Sequence, residues 1–219
     1  MTTDVFSTDE KDVARLREQW EDLSTLYTTD EGLKAKSFGT LKAHYSLEGR
    51  FYHNLSHIKA LLHLFESLKH LIEDPKAIRF AIWFHDVIYD TKRSDNEEKS
   101  ADVAADVLSK LSVDTKTIDY VRQLILATKT HSDAALSEDA KVFLDIDLSI
   151  LGVSSETYKE YSKAIRKEYS WVPGFMYRSG RKKILKGFIK REAIFSTAEM
   201  NKRFEAQARI NIDDELRTL

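Results

Sequence analysis

Apolar residues recur along most of this chain at spacings of three and four, the period of a helix with one buried face. Val13, Leu16, Trp20, Leu23 and Leu26 mark a first amphipathic helix over 10–28. A second is predicted over 32–46 and a third over 54–72, where Ile58, Leu61, Leu62, Phe65, Leu68 and Ile72 continue the stripe. Pro75 then opens a helix at a favoured early position. Its run Ala77-Ile78-Arg79-Phe80-Ala81-Ile82-Trp83-Phe84 is apolar nearly all round, the mark of a helix buried at the centre of a fold. A polar loop at 90–95 separates it from helices predicted over 96–111 and 114–130. The latter carries Ile118, Val121, Leu124, Ile125 and Thr128 in period. Further helices are predicted over 137–151, 155–170, 176–194 and 196–210. One stretch, 142–150, partly alternates as a strand would; helix is preferred because its neighbours are helical and a lone strand has no pairing partner.

Composition supports the same picture. Two prolines and seven glycines are too few turn residues for a strand-rich fold, so the expected class is all-α. The 219 residues suffice for a core without covalent staples. No repeat, low-complexity tract or linker divides them, which points to a single helical domain over 1–219. The formal net charge of −2 provides no global basic field for nucleic acid. No apolar run is long enough to span a bilayer, and the acidic opening residues do not read as a secretory or transit segment. The expectation is a cytoplasmic protein with neither a membrane nor nucleic acid as its partner. The chain contains no cysteine, which excludes disulfides, thiol nucleophiles, thiolate zinc sites and iron–sulfur clusters. A transition-metal site here must be built from imidazole and oxygen ligands.

Several residues can carry such chemistry. His85 and Asp86 directly follow the most apolar helix of the chain, and a buried carboxylate requires a neutralising partner. A metal ion is one such partner, with imidazole its natural co-ligand; a structural His–Asp or Asp–Arg pair is the plainer alternative. His53 and His57 stand four apart, on one helical face. The stripe from His57 continues through Leu61, Leu64 and Leu68, so His57 points to the core, while His53 near the helix start caps, ligates or binds substrate. His63 and His70 share a face with Lys59 and Glu66 and read as solvated. In 141–151, Asp147 has Phe143, Leu144, Ile150 and Leu151 at helical spacing and lies on the apolar face. Asp145 is flanked by Lys141 and Ser149, reaches solvent more easily and has a surface ion pair with Lys141 as its plain reading. His131 continues the face of Leu124 and Thr128; it either completes a second metal site or contacts substrate, or is a helix-terminal histidine favoured by the macrodipole. Glu97 and Glu98 open the helix after the 90–95 loop, where acidic residues are favoured in any case. Finally, 177–183 begins a basic stretch in which Arg178 and Arg181 offer bidentate phosphate recognition, against the plainer reading of a solvated basic face.

The order His57, His85-Asp86, Asp147 resembles the HD-domain superfamily of metal-dependent phosphohydrolases, whose signature is one His, an adjacent His-Asp and a distant Asp on separate helices of an all-α bundle. The strings Phe84-His85-Asp86-Val87-Ile88-Tyr89, Asn96-Glu97-Glu98-Lys99-Ser100-Ala101 and Leu144-Asp145-Ile146-Asp147-Leu148 are similar to its motif blocks. Together with Tyr52-His53-Asn54-Leu55-Ser56-His57 and the 177–181 string, they look like a subgroup described as predicted HD phosphohydrolases. The resemblance covers roughly 50–195. It implies an HD-like core over about 50–152, with additional N-terminal helices and the helices of 153–219 packed on it. It also implies metal ligands at His57, His85, Asp86 and Asp147, with His53 and Asp145 as near-register alternatives and His131 as the extra histidine of binuclear members. The chain lacks the Gly-Tyr-Pro extension of cyclic-dinucleotide-degrading relatives.

The implied activity is hydrolysis of a small phosphorylated metabolite or nucleotide by a metal-activated water. Two imidazoles and two carboxylates suit Mn, Fe, Co, Ni or Zn, and less ideally Mg. Asp86 or Glu97 would accept a proton, and Arg178 or Arg181 would offset charge on the phosphate oxygens. Two other readings remain: an HD-type di-iron oxygenase, which needs His131 and His53, and a non-catalytic metal-stabilised sensor that meets an anionic partner through 178–191. The sequence also leaves room for a homodimer.

Overall fold

Most helix starts in this protein carry a side-chain cap. Asp9, Asp30, Asn54, Asp74, Asp114, Ser137 and Ser154 each accept a hydrogen bond from a backbone N–H in the first turn of the helix that follows. The computed structural model describes residues 5–131 and 137–219. Its helices are α1 (Glu10–Thr25), α2 (Glu31–Tyr45), α3 (Leu55–Leu68), α4 (Pro75–Phe84), α5 (Asn96–Lys110), α6 (Thr115–Ala127), α7 (Glu138–Leu148), α8 (Ser155–Glu168), α9 (Gly174–Ile189) and α10 (Ala198–Thr218). Short 3-10 turns at Lys69–Leu71 and Ser149–Gly152 extend α3 and α7. No strand occurs among the described residues, and the partly alternating stretch 142–150 is helical.

As its all-round apolarity requires, α4 is central. It packs against α3, α5, α6 and α7, and every residue from Phe80 to Phe84 is buried. Trp20 from α1 meets Phe80, Trp83 and Phe84 edge-on, with ring centroids 5.6–6.1 Å apart. The outer helices hold the far end of α7. Gly152 follows α7 where α10 crosses: a Cβ there would lie 2.6 Å from the Cβ and the carbonyl oxygen of Phe204, so only glycine permits this approach.

Several expected boundaries move, each for a local reason. Asn54 caps α3, so His53 stands before the helix instead of sharing a helical face with His57. Helix α6 ends at Ala127, and His131 follows with a left-handed backbone, φ 45°. Helix α10 runs to Thr218, well past the predicted 210, because Asn211, Ile212 and Glu215 are buried on its inner side.

Candidate metal centre

Three helix ends meet at one point. His57 lies in the first turn of α3, His85 is the C-terminal cap of α4, and Asp147 is the penultimate residue of α7. The turn after α4 is held by side chains that satisfy its free carbonyls. Tyr45 donates its hydroxyl to the Trp83 carbonyl at 3.0 Å. The Arg50 guanidinium donates to the carbonyls of Asp86 (2.7 Å), Val87 (2.9 Å) and His53 (2.9 Å), tying the chain before α3 to the turn that carries His85.

The Nε2 atoms of His57 and His85 are 3.2 Å apart. Asp147 Oδ1 lies 3.3 Å from the first and 3.4 Å from the second. Asp86 Oδ2 stands beside them, 3.1 Å from His85 Nε2 and 3.8 Å from His57 Nε2. One ligating atom from each of His57, His85 and Asp147 falls within 4.8 Å of the others, which is compact enough for a single ion. His85 donates Nδ1–H to the Ile82 carbonyl at 3.0 Å. That bond fixes the tautomer of a neutral ring and turns the Nε2 lone pair to the centre, the usual outer support of a metal-ligating histidine. The centre then collects lone pairs and carboxylate oxygens facing one another. Among the described residues no lysine or arginine pairs with Asp86 or Asp147; their ionic partners are imidazoles alone.

The electrostatics reflect this demand for positive charge. Burial works against a charged His85 ring, yet Asp86 and Asp147 outweigh it and hold its pKa well above the ordinary histidine value. Burial lowers that of His57. Burial also opposes the charged forms of Asp86 and Asp147, but His85 foremost keeps both below the carboxylate range.

The other anticipated residues fall into two groups. His131 joins the cluster from its far side, with Nε2 2.9 Å from Asp147 Oδ2. His53 and Glu97 line the cavity above it. Glu97 has Lys129 at 4.0 Å. Asp145 is turned away and, contrary to the expected solvent contact, only 1% exposed. It accepts from the backbone N–H groups of Ser196 (2.8 Å) and Thr197 (2.8 Å) and from the Thr197 hydroxyl (2.7 Å), anchoring the chain before α10. Lys141, its expected partner, is ion-paired with Glu138 at 2.6 Å. Arg178 is not among the residues lining this cavity; it faces a separate hollow with Arg166 and Lys163. Arg181 does reach the cavity wall, but its Nε and Nη2 are bound to Glu215 at 2.9 and 3.0 Å, so the solvated basic face expected there does not extend to it.

Two residues escaped the sequence reading. Arg50 acts on backbone carbonyls and follows no periodic pattern. Glu168 accepts from the N–H groups of Tyr52 and His53, from the Tyr89 hydroxyl and from His53 Nδ1 at 2.7 Å. Its place at the end of α8, 115 residues from His53, left no local signal.

Asp86, Asp147 and His131 bring the cluster into the lining of a cavity of about 650 Å³, which also takes in Tyr52, Tyr89 and residues of the 165–188 segment. Comparison of the chain with family models, with curated proteins and with solved structures finds no match.

Proposed function

We propose that this protein is a metal-dependent phosphohydrolase of the HD type, acting on a small phosphorylated molecule. The observation that carries the reading is the convergence of two Nε2 atoms and the Asp147 carboxylate, with Asp86 beside them, at a point where Asp86 and Asp147 enter the lining of a cavity. His57, His85, Asp147 and Asp86 would hold a divalent ion from the Mn, Fe, Co, Ni, Zn or Mg group. Such an ion lowers the pKa of a coordinated water and polarises a phosphoryl oxygen. The chain's own residues supply the rest. Asp86 and Glu97 both line the cavity and are acceptors for the proton released by the attacking water. Among the described residues no protein cation is free for the phosphate: Lys129 lines the wall but is paired with Glu98 and donates to the Ser94 carbonyl, Arg178 faces elsewhere and Arg181 is held by Glu215, so the ion itself would offset most of the phosphate charge. The HD resemblance in motif order supports the same reading, and so does the meeting of three of its four implied ligands at one point with the fourth, Asp86, beside them.

The test is a screen of phosphate monoesters and nucleotides against several divalent metals. Turnover that needs added metal, and that disappears with metal binding in the His85→Ala, Asp86→Asn double variant, is the expected result. Turnover by the metal-free double variant would overturn the assignment.

One observation favours a second reading. Asp147 presents Oδ1 to His57 and His85 and Oδ2 to His131, the disposition of a carboxylate bridging two ions. A di-iron oxygenase would use that bridge. Two irons per chain in protein purified without added metal would favour it; a single non-iron ion would leave the hydrolase.

A further inference from the structure

The lining of the cavity is divided in its chemistry. The charged part of the lining comprises Asp86, Asp147, His131, Glu97 and the exposed Lys129. The upper wall, from the end of α8 to α9, is aromatic and aliphatic: Tyr169, Trp171, Met176, Tyr177, Ile184 and Phe188 all line it. Several polar groups of the walls are already engaged within the fold. Trp171 donates to Thr91 Oγ1 at 2.7 Å, Tyr89 donates to Glu168 at 3.0 Å, Thr128 donates to the Ile125 carbonyl at 2.7 Å, and Arg181 is held by Glu215. The lining includes no Asn or Gln. A site for a sugar phosphate needs free donors and acceptors to replace the water around each hydroxyl; these walls offer few. The Tyr177 hydroxyl has no hydrogen-bond partner, but the atom itself is buried and presents no donor to the cavity surface.

The rim adds a second observation. Trp171, Met176 and Ile184 are each more than half exposed at the mouth, where a solvated wall would carry polar residues. Gly180 lies between Met176 and Ile184 at four-residue intervals along one face of α9, where nothing lies within 4 Å of an added Cβ. Packing does not require glycine there, and its helix propensity is poor. A side chain at 180 would project into the mouth.

Building on the hydrolase reading, we infer that the chamber binds the apolar alcohol portion of a phosphate monoester, an aryl or alkyl body that enters past Gly180 while its phosphate meets the charged part of the lining. A volume of about 650 Å³ lies within the usual range of small-ligand sites and admits such a body.

Hydrolysis-resistant phosphonates test this without depending on turnover. The full-length protein, loaded with metal, is titrated calorimetrically with naphthylmethylphosphonate, octylphosphonate and a glucose 6-phosphonate. At least one apolar probe should bind ten-fold or more tightly than the sugar probe, and the two apolar arms identify aryl or alkyl preference. Gly180→Phe should weaken the preferred probe ten-fold or more, with metal content unchanged. Ile184→Glu, at an exposed rim position that tolerates charge, should weaken it as well and serves if the first variant folds poorly. Equal or tighter binding of the sugar phosphonate, or indifference to both rim variants, overturns the inference. If apolar probes bind as expected while no monoester is turned over, the hydrolase reading fails and the chamber stands. If sugar phosphates are hydrolysed while apolar probes are ignored, the reverse holds.

Discussion

Asp145 and Asp147 are two residues apart in α7, and both are largely withdrawn from water, yet they face different surroundings. Asp145 receives three donors from the chain before α10, so its charge is compensated by the fold itself. Among the described residues Asp147 has only imidazole partners, those of His57, His85 and His131. The same contrast extends across the molecule. Glu215 accepts from Arg181, Tyr158 and Ser162, and Glu168 from two backbone N–H groups, His53 and Tyr89. Burial alone therefore does not mark a ligand site. A carboxylate whose donors are supplied by the fold is structural, whereas one whose neighbours are all potential ligands awaits a cation.

The comparison breaks most sharply under metal removal. If the cluster near Asp147 is completed by an ion, chelation should lower stability by roughly 4 kcal/mol relative to protein at metal concentrations a thousand-fold above the dissociation constant. Thermal melts with and without chelator read this, and coincident melts would place Asp147 with the self-sufficient carboxylates. The structural class should fail differently. Glu215→Ala leaves the Arg181 guanidinium buried without its partner and should cost about 3–5 kcal/mol with no change in metal content per folded chain. Urea unfolding checks the first part and elemental analysis the second.

That pair also predicts a pH dependence. Burial opposes the charged Glu215, but Arg181 outweighs it and holds its carboxyl below the ordinary glutamate value. A group lowered in the folded chain contributes stability that is fully present above its unfolded pKa, roughly 4.3, and is lost as pH falls through the folded value. Wild-type stability should therefore decline below about pH 4–5, and the decline should be shallower in the Glu215→Ala chain. The smallest effect sharpens the comparison by touching neither class. Gly187 sits in the last turns of α9 with nothing within 4 Å of an added Cβ, so Gly187→Ala should stabilise by about 0.5–1 kcal/mol and leave metal content unchanged. A destabilised Gly187→Ala chain would mean that this part of α9 has contacts beyond those described.

The helices and the three converging residues are legible in the sequence because both depend on periodicity within one segment. His57, His85 and Asp147 each sit on the apolar face of their own helix, and that face points to the common core. Asp145 was misread for the same reason in reverse. The face of α7 at Lys141 and Ser149 reads as solvent-facing until the chain at 196–197, some fifty residues later, covers it. Arg181 read as one of a basic run because Glu215, which holds it, lies 34 residues on. Arg50 and Glu168 left no trace at all, since both act on backbone groups of distant segments whose approach only the fold creates.

The most direct test of the central claim is the metal stoichiometry of three purified chains after exposure to a divalent-metal mixture and exhaustive dialysis: wild type, Asp145→Asn and Asp147→Asn. Bound metal is expected in the wild type and in Asp145→Asn, and its loss in Asp147→Asn. Equal metal content in all three chains, or none in the wild type, would contradict it.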